Sequence, residues 1–206
     1  PNGPSQRRVI QRALAASELT PDAIDYVEAH GTGTNLGDPI EAGALIEVFR
    51  PTRQEEQPLY IGSLKSNIGH TQAAAGVASL IKVVLSLMNE TIPKSLHAEE
   101  KSPHIVWEDS GLELAQESRA WPRQSARVRR AGISSFGISG TNAHVIIEEA
   151  PQSARASRDA SLTQPLPVVL SGRDEAALRE QASRWASWLD ANPETPWADV
   201  VRTAAL

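Results

Sequence analysis

Cysteine is absent from this 206-residue chain. That excludes disulfides, zinc–thiolate sites and a cysteine nucleophile supplied by these residues. Aromatic residues make up only 4%, so any core must be built mainly from Ala, Val, Ile and Leu. An excess of positive charge is also missing: 20 Lys and Arg stand against 25 Asp and Glu, a formal net charge of −5. This argues against a nucleic-acid binder held by phosphate neutralisation. No basic-then-apolar leader opens the sequence, so nothing points to secretion and a cytoplasmic location is expected. The longest apolar run, 73–88, contains Lys82 and several small residues. It reads as a buried helix, not a membrane span. The remaining composition is ordinary for a soluble globular protein, with 40% hydrophobic and 22% charged residues. The length allows one mid-sized domain, or one large piece and a small one. The chain opens on Pro1 and stops at Leu206 in a helix-like stretch, so it is expected to be part of a longer polypeptide.

Strand, polar loop and helix alternate twice in the first ninety residues. Ser5 is placed to cap a helix with Val9, Ile10, Ala13 and Leu14 on one face. Thr20-Pro21 signals a short helical turn. Residues 24–29 read as a buried strand running into the loop His30-Gly-Thr32-Gly-Thr34. Asp38-Pro39 is expected to cap a second helix reaching Phe49, with Glu41 in its first turn, where the dipole favours a carboxylate. A strand at 59–63 leads to a polar loop at 65–70, then a small-residue helix from Thr71 to about Asn89. This rhythm predicts an α/β sheet whose strand-end loops carry chemistry. Residues 92–118 read as loops and edge strands. Strands are expected at 127–135 and 143–149, joined by a glycine-rich turn at 136–140. Residues 151–165 form a Ser/Ala/Arg/Pro-rich connector. A strand at 167–171 and an amphipathic helix at 174–189 then make a separate small α/β unit within 166–206.

Three segments have the residue types for chemistry. In the first, glycines around His30 allow close approach of a ligand. Thr32 and Thr34 face the same way if the loop stays extended, and could bond an elongated polar ligand. The same residues could equally satisfy loop backbone. In the second, Lys65-Ser-Asn67-Ile-Gly69-His70, the histidine precedes a helix, whose positive end would favour a neutral imidazole. A neutral imidazole can donate to a carbonyl becoming an enolate. Plain helix capping is the alternative. The third, Phe136-Gly137 through His144, presents backbone N–H groups suited to an oxyanion hole, or forms only a tight hairpin. His97 and His104 lack metal-ligand spacing and read as loop residues. The arginines at 119, 123, 127, 129 and 130 read as a solvated face, or as a docking patch for an acidic partner.

Together these motifs resemble, in order and spacing, the carboxyl-terminal half of a β-ketoacyl synthase of modular type I polyketide synthases. Asn2-Gly-Pro-Ser-Gln6 and Gly37-Asp-Pro-Ile-Glu41 fit the same family. The resemblance covers about residues 1–150, and the tail is similar to the start of the ketosynthase–acyltransferase linker. It implies half of a thiolase-like α/β/α/β/α sandwich followed by the small linker unit. By this resemblance His30 and His70 stabilise the enolate formed when a malonyl-type extender loses carbon dioxide. Lys65 matches the family lysine and Glu41 the glutamate that partners it. Thr32 and Thr34 match residues that bond the phosphopantetheine arm, with Asn67 and Gly137 as further substrate-binding candidates. Phe136 matches the gating aromatic whose N–H contributes to the oxyanion hole.

The family cysteine belongs to the amino-terminal half. This chain alone is therefore expected neither to be acylated nor to condense. Implied partners are that half, acyl carrier protein, the adjacent acyltransferase domain and a second copy in the family homodimer. No covalently bound cofactor, metal, nucleic acid or membrane is implied. A scaffold linking catalytic domains is the main alternative; an unrelated acyl-binding module would have no use for two histidines and a lysine. The all-round apolar helix at 73–88 requires neighbours on every side, so the isolated chain is expected to aggregate or to need a partner.

Overall fold

The computed structural model describes residues 1–54, 56–151 and 167–204. The chain divides into two compact units, 1–150 and 151–206.

In the first unit, helix α1 (Gly3–Ala16) is capped by Asn2, whose Oδ1 accepts the Ser5 N–H at 2.9 Å. Ser5 therefore lies inside the first turn and is not the cap. Gln6, Ile10 and Leu14 recur every four residues and form the buried stripe. A 3-10 turn at Pro21–Ala23 leads into β1 (Tyr26–Glu28). Helix α2 spans Gly37–Phe49 and β2 Leu59–Gly62. The segment expected as a loop at 65–70 instead contains one helical turn, α3 (Lys65–Ile68), because the Asn67, Ile68 and Gly69 amides bond back to the carbonyls of Leu64 and Lys65. Helix α4 spans Ala75–Met88 after a 3-10 turn at Gln72–Ala74. Short strands follow: β3 (Thr91–Ile92), β4 (Leu112–Leu114) and β5 (Arg119–Ala120). The unit closes with β6 (Arg130–Phe136) and β7 (Asn142–Glu148).

The main sheet has the order β4-β2-β1-β6-β7. Its first four strands are parallel; β7 returns antiparallel to β6, with Arg130 opposite Glu148 and Phe136 opposite Asn142. β3 and β5 form a separate antiparallel ribbon. Alternation along β1 sends adjacent residues to opposite faces. Val27 joins Ile10, Leu14, Leu45 and Phe49 from α1 and α2. Tyr26 joins Val83 and Leu87 from α4, with Ile133 and Trp121. Two helices thus cover one face and α4 the other. Because β1, β2 and β6 are parallel, their carboxyl ends open on one edge, and three loops converge there.

In the second unit, the described residues form helices α5 (Glu175–Ala191) and α6 (Trp197–Ala204). Asp174 caps α5 by accepting the Ala177 N–H at 2.8 Å. The expected strand at 167–171 does not form among the described residues. Residues 152–165 of the expected connector lie outside the described residues.

Candidate active site

His30 leaves β1, and His70 leaves the segment after β2. Their rings meet edge to face, with centroids 5.4 Å apart. Phe136, at the end of β6, packs against the same His30 ring at 5.5 Å. His30 and His70 line one cavity of about 560 Å³ with Thr32, Thr34, Phe136 and Gly137.

The hydrogen bonding differs between the two histidines. The backbone N–H of Gln72 donates to His70 Nδ1 at 3.0 Å. A neutral His70 ring must then carry its proton on Nε2, as a donor. The 3-10 turn at Gln72–Ala74 runs directly into α4, so His70 sits just before the start of this helical segment and accepts its first amide. His30 is pulled down to about 4, first by burial, then by Lys65 and His70. It is neutral near pH 7. Its Nδ1 is buried without a hydrogen-bond partner, and the ring lines the cavity.

The loop bearing His30 is held from α2. Glu41 accepts the N–H groups of His30 and Gly31 at 2.8 and 2.9 Å. Asp38 Oδ1 accepts those of Gly33 and Thr34 at 3.1 and 3.4 Å, so Asp38 clasps the loop and does not cap its own helix. Thr34 Oγ1 accepts the Gly37 N–H at 3.0 Å instead. Gly31 has φ +45°, and a Cβ there would lie 2.8 Å from Ser63 Cβ, so the two strand-end loops touch through a position open only to glycine. The hydroxyls of Thr32 and Thr34 are 3.4 Å apart.

Other expected placements change. Lys65 and Glu41 form no ion pair, though their charges act on each other; the Glu41 oxygens accept the His30 and Gly31 amides. Lys65 lines a second cavity of about 350 Å³, together with Glu41, Gly31 and Trp107. Asn67 is exposed, accepts from the Ser66 hydroxyl at 3.1 Å, and is not among the residues lining the histidine cavity. The Gly137 N–H is taken by the Thr141 carbonyl at 2.7 Å, so it is not a free oxyanion donor. The arginines are no open docking patch. Arg127 bonds Asp25, Arg129 and Arg123 bond Glu149, Arg130 bonds Glu148 and Arg119 bonds Glu113.

Comparison with known proteins decides the family. Residues 1–99 match the β-ketoacyl synthase C-terminal domain, and residues 102–205 match the ketoacyl-synthetase C-terminal extension. This chain belongs to the β-ketoacyl synthase family. Its relatives are modular polyketide synthases. Erythronolide synthase EryA2 of Saccharopolyspora erythraea is 56% identical over 205 residues, covering 100% of this chain and 6% of that protein. Polyketide synthase GfsE of Streptomyces halstedii is 52% identical over 208 residues, covering 100% of this chain and 5% of that protein. The ketosynthase from module 6 of the bacillaene synthase of Bacillus subtilis 168 superposes with a TM-score of 0.73 at 38% identity, covering 99% of this chain and 34% of that one. Ketosynthase twelve of the bacillaene synthase of Bacillus amyloliquefaciens gives 0.70 at 38%, covering 92% and 32%. The fold is thiolase-like, and the chain spans only a small part of its curated relatives and about a third of these structures.

In this ketosynthase chain the break between the two matched families falls inside the first unit. Strands β4, β6 and β7 belong to the extension family, yet β4 and β6 pair directly with β2 and β1.

One cluster was not singled out from sequence. Glu28, fully buried, accepts from Tyr26 Oη at 2.6 Å and Lys82 Nζ at 2.7 Å. Its signal was two opposite charges, Glu28 and Lys82, in otherwise apolar segments.

Proposed function

We propose that this chain is the histidine-bearing half of a polyketide ketosynthase that performs decarboxylative Claisen condensation of acyl and malonyl-type thioesters on acyl carrier protein. The observation that carries this reading is the pairing of His30 and His70 in one cavity, their rings 5.4 Å apart. His30 is neutral and His70 has its donor tautomer fixed.

The chemistry follows from those two states. The bond between the malonyl α-carbon and its carboxylate breaks, carbon dioxide leaves, and the electron pair becomes an enolate on the thioester. Negative charge builds on the thioester oxygen. His30, held neutral by burial, and His70, which with Nδ1 accepting the Gln72 amide presents Nε2, stabilise it. The α-carbon then attacks an acyl group carried on a cysteine thioester. A carbon–carbon bond forms, the thiolate leaves, and a β-ketoacyl thioester results. The cysteine is supplied by an amino-terminal segment that this sequence does not contain.

Thr32 and Thr34, side by side in the cavity wall, are placed to bond the amides of a phosphopantetheine arm, which enters as part of the substrate with its carrier protein. Phe136, against the His30 ring, is the gating aromatic. Lys65 acts through its charge near the histidines. The amino-terminal half, the neighbouring acyltransferase domain and a second copy complete the assembly, in the cytoplasm and with no covalently bound cofactor.

The test compares this chain with the complete ketosynthase, using a malonyl thioester of acyl carrier protein. The complete protein should release carbon dioxide and elongate an acyl chain, and His30→Ala or His70→Ala should remove that release. The 206-residue chain alone should take up no acyl group by intact mass. Elongation or acylation by the isolated chain would overturn the assignment of roles.

A further inference from the structure

We propose that Glu28 is a positioning residue that locks the Lys65–His70 segment against the His30 loop by bridging from the end of β1 to the Leu64 amide. The proposal rests on the condensing reading above.

The Glu28 carboxylate is 0% exposed. Oε1 accepts the Leu64 N–H at 2.5 Å, and Oε2 accepts from Tyr26 Oη at 2.6 Å and from Lys82 Nζ at 2.7 Å. Lys82 Nζ also donates to Tyr26 Oη at 2.9 Å, closing a triangle. An unpaired carboxylate at this depth would protonate or be expelled. Lys82, 8% exposed and reaching in from α4, supplies the balancing charge. Burial and the Glu28 charge push the Tyr26 phenol well up, so its hydroxyl stays a donor.

The position of this carboxylate gives it leverage. Glu28 stands two residues before His30, and Leu64 one residue before Lys65 and six before His70. One side chain therefore joins the two strand-end segments that bear the histidines. A buried ion pair contributes little net stability, and well-packed apolar replacements are often neutral or better. Geometry is the contribution that remains. A misplacement of about 1 Å at reacting groups costs on the order of 100-fold in rate.

Two charge-free pairs in the complete ketosynthase separate geometry from charge balance. Glu28→Gln with Lys82→Met keeps an acceptor for the Leu64 N–H. Glu28→Met with Lys82→Met fills the same volume without one. Leu64→Pro removes the donor from the other side, at a residue whose φ of −60° already suits proline. Malonyl decarboxylation and peptide-level amide exchange over 64–70 are measured for each. The glutamine pair should stay within threefold of wild-type kcat with protected amides. The methionine pair and Leu64→Pro should lose tenfold or more in kcat, with KM within twofold and faster exchange at 65–70. Equal turnover and equal exchange in all of them would overturn the bridge. If one of the latter two fails to fold, the other decides. A wild-type protein that does not decarboxylate would instead overturn the condensing reading, while the exchange contrast still judges the bridge.

Discussion

Glu41 accepts the backbone N–H groups of His30 and Gly31 with its two oxygens, at 2.8 and 2.9 Å. A side chain on α2 thereby fixes the residue that leaves β1 for the cavity. Burial pushes its carboxyl up to about 7, with the two amide bonds pulling the other way. Glu41→Ala leaves both amides unpaired, at about 1–3 kcal/mol each. Glu41→Gln keeps one acceptor and should lose less. Thermal melts of the complete ketosynthase check this, and equal melting of the two variants would remove the clasp from the account. The pH dependence has a defined sign. A carboxyl raised from 4.5 to about 7 contributes stability that is fully present below about 4.5 and lost as pH rises through about 7. Glu41→Gln should flatten the decline between pH 5 and pH 8.

His30 and His144 share a direction for the same physical reason. Burial pulls both down to about 4, with Lys65 and His70 adding to the effect on His30. Both rings should stay neutral as the pH falls from 7 to 5, read from imidazole chemical shifts. Movement of either set centred above pH 6 would contradict the burial argument. A histidine in the unfolded chain titrates near 6.5. Each group therefore contributes stability present above about 6.5 and lost as pH falls through about 4.

The alternation of strand, loop and helix, and the three motif-bearing loops, were readable because each rests on local residue types. β1, β2 and their following segments fall where the apolar runs and glycines place them. What escaped were features that depend on who arrives from elsewhere in the chain. Lys65 and Glu41 are opposite charges on neighbouring elements α3 and α2, yet the Glu41 oxygens go to amides that any sequence would present there. The arginines from 119 to 130 look like a solvated basic stretch. Their partners Glu113, Asp25, Glu148 and Glu149 come from β4, the approach to β1 and the end of β7. The turn at Lys65–Ile68 is a matter of backbone bonding, for which Ser-Asn gives no strong sign. Residues 167–171 have strand composition, yet no strand forms there among the described residues.

The β6–β7 hairpin depends on a close approach at Gly132. A Cβ at that position would lie 2.6 Å from His144 Nε2 and 3.3 Å from Val27 Cγ2. His144 is buried and held by a 3.0 Å contact from Nδ1 to Ser134 Oγ, so its ring cannot swing away freely. Gly132→Ala should destabilise by about 1–3 kcal/mol, the range for overpacking. Adding His144→Ala should recover part of that loss, because the ring that clashes is gone. Urea denaturation of the single and double variants measures the coupling. Strict additivity would place the strain elsewhere.

Helix α4 presents two apolar faces, and only one is covered. Lys82, Val83 and Leu87 are buried against the sheet. On its other side Val77, Ile81, Leu85 and Met88 are 60%, 56%, 50% and 73% exposed. Their spacing places them along one stripe. Burying a large apolar side chain fully is worth about 1.5–3 kcal/mol. The stripe therefore represents several kcal/mol, comparable with the roughly 5–15 kcal/mol that stabilises a whole domain. A face of that size drives association. The isolated chain should self-associate in sedimentation velocity, and replacing Val77, Ile81 and Met88 with serine should shift it towards monomer. Co-expression with an amino-terminal ketosynthase half should give a one-to-one complex that the serine variant no longer forms. An isolated chain that is already monomeric, with a sharp thermal transition, would mean that α4 needs no such cover.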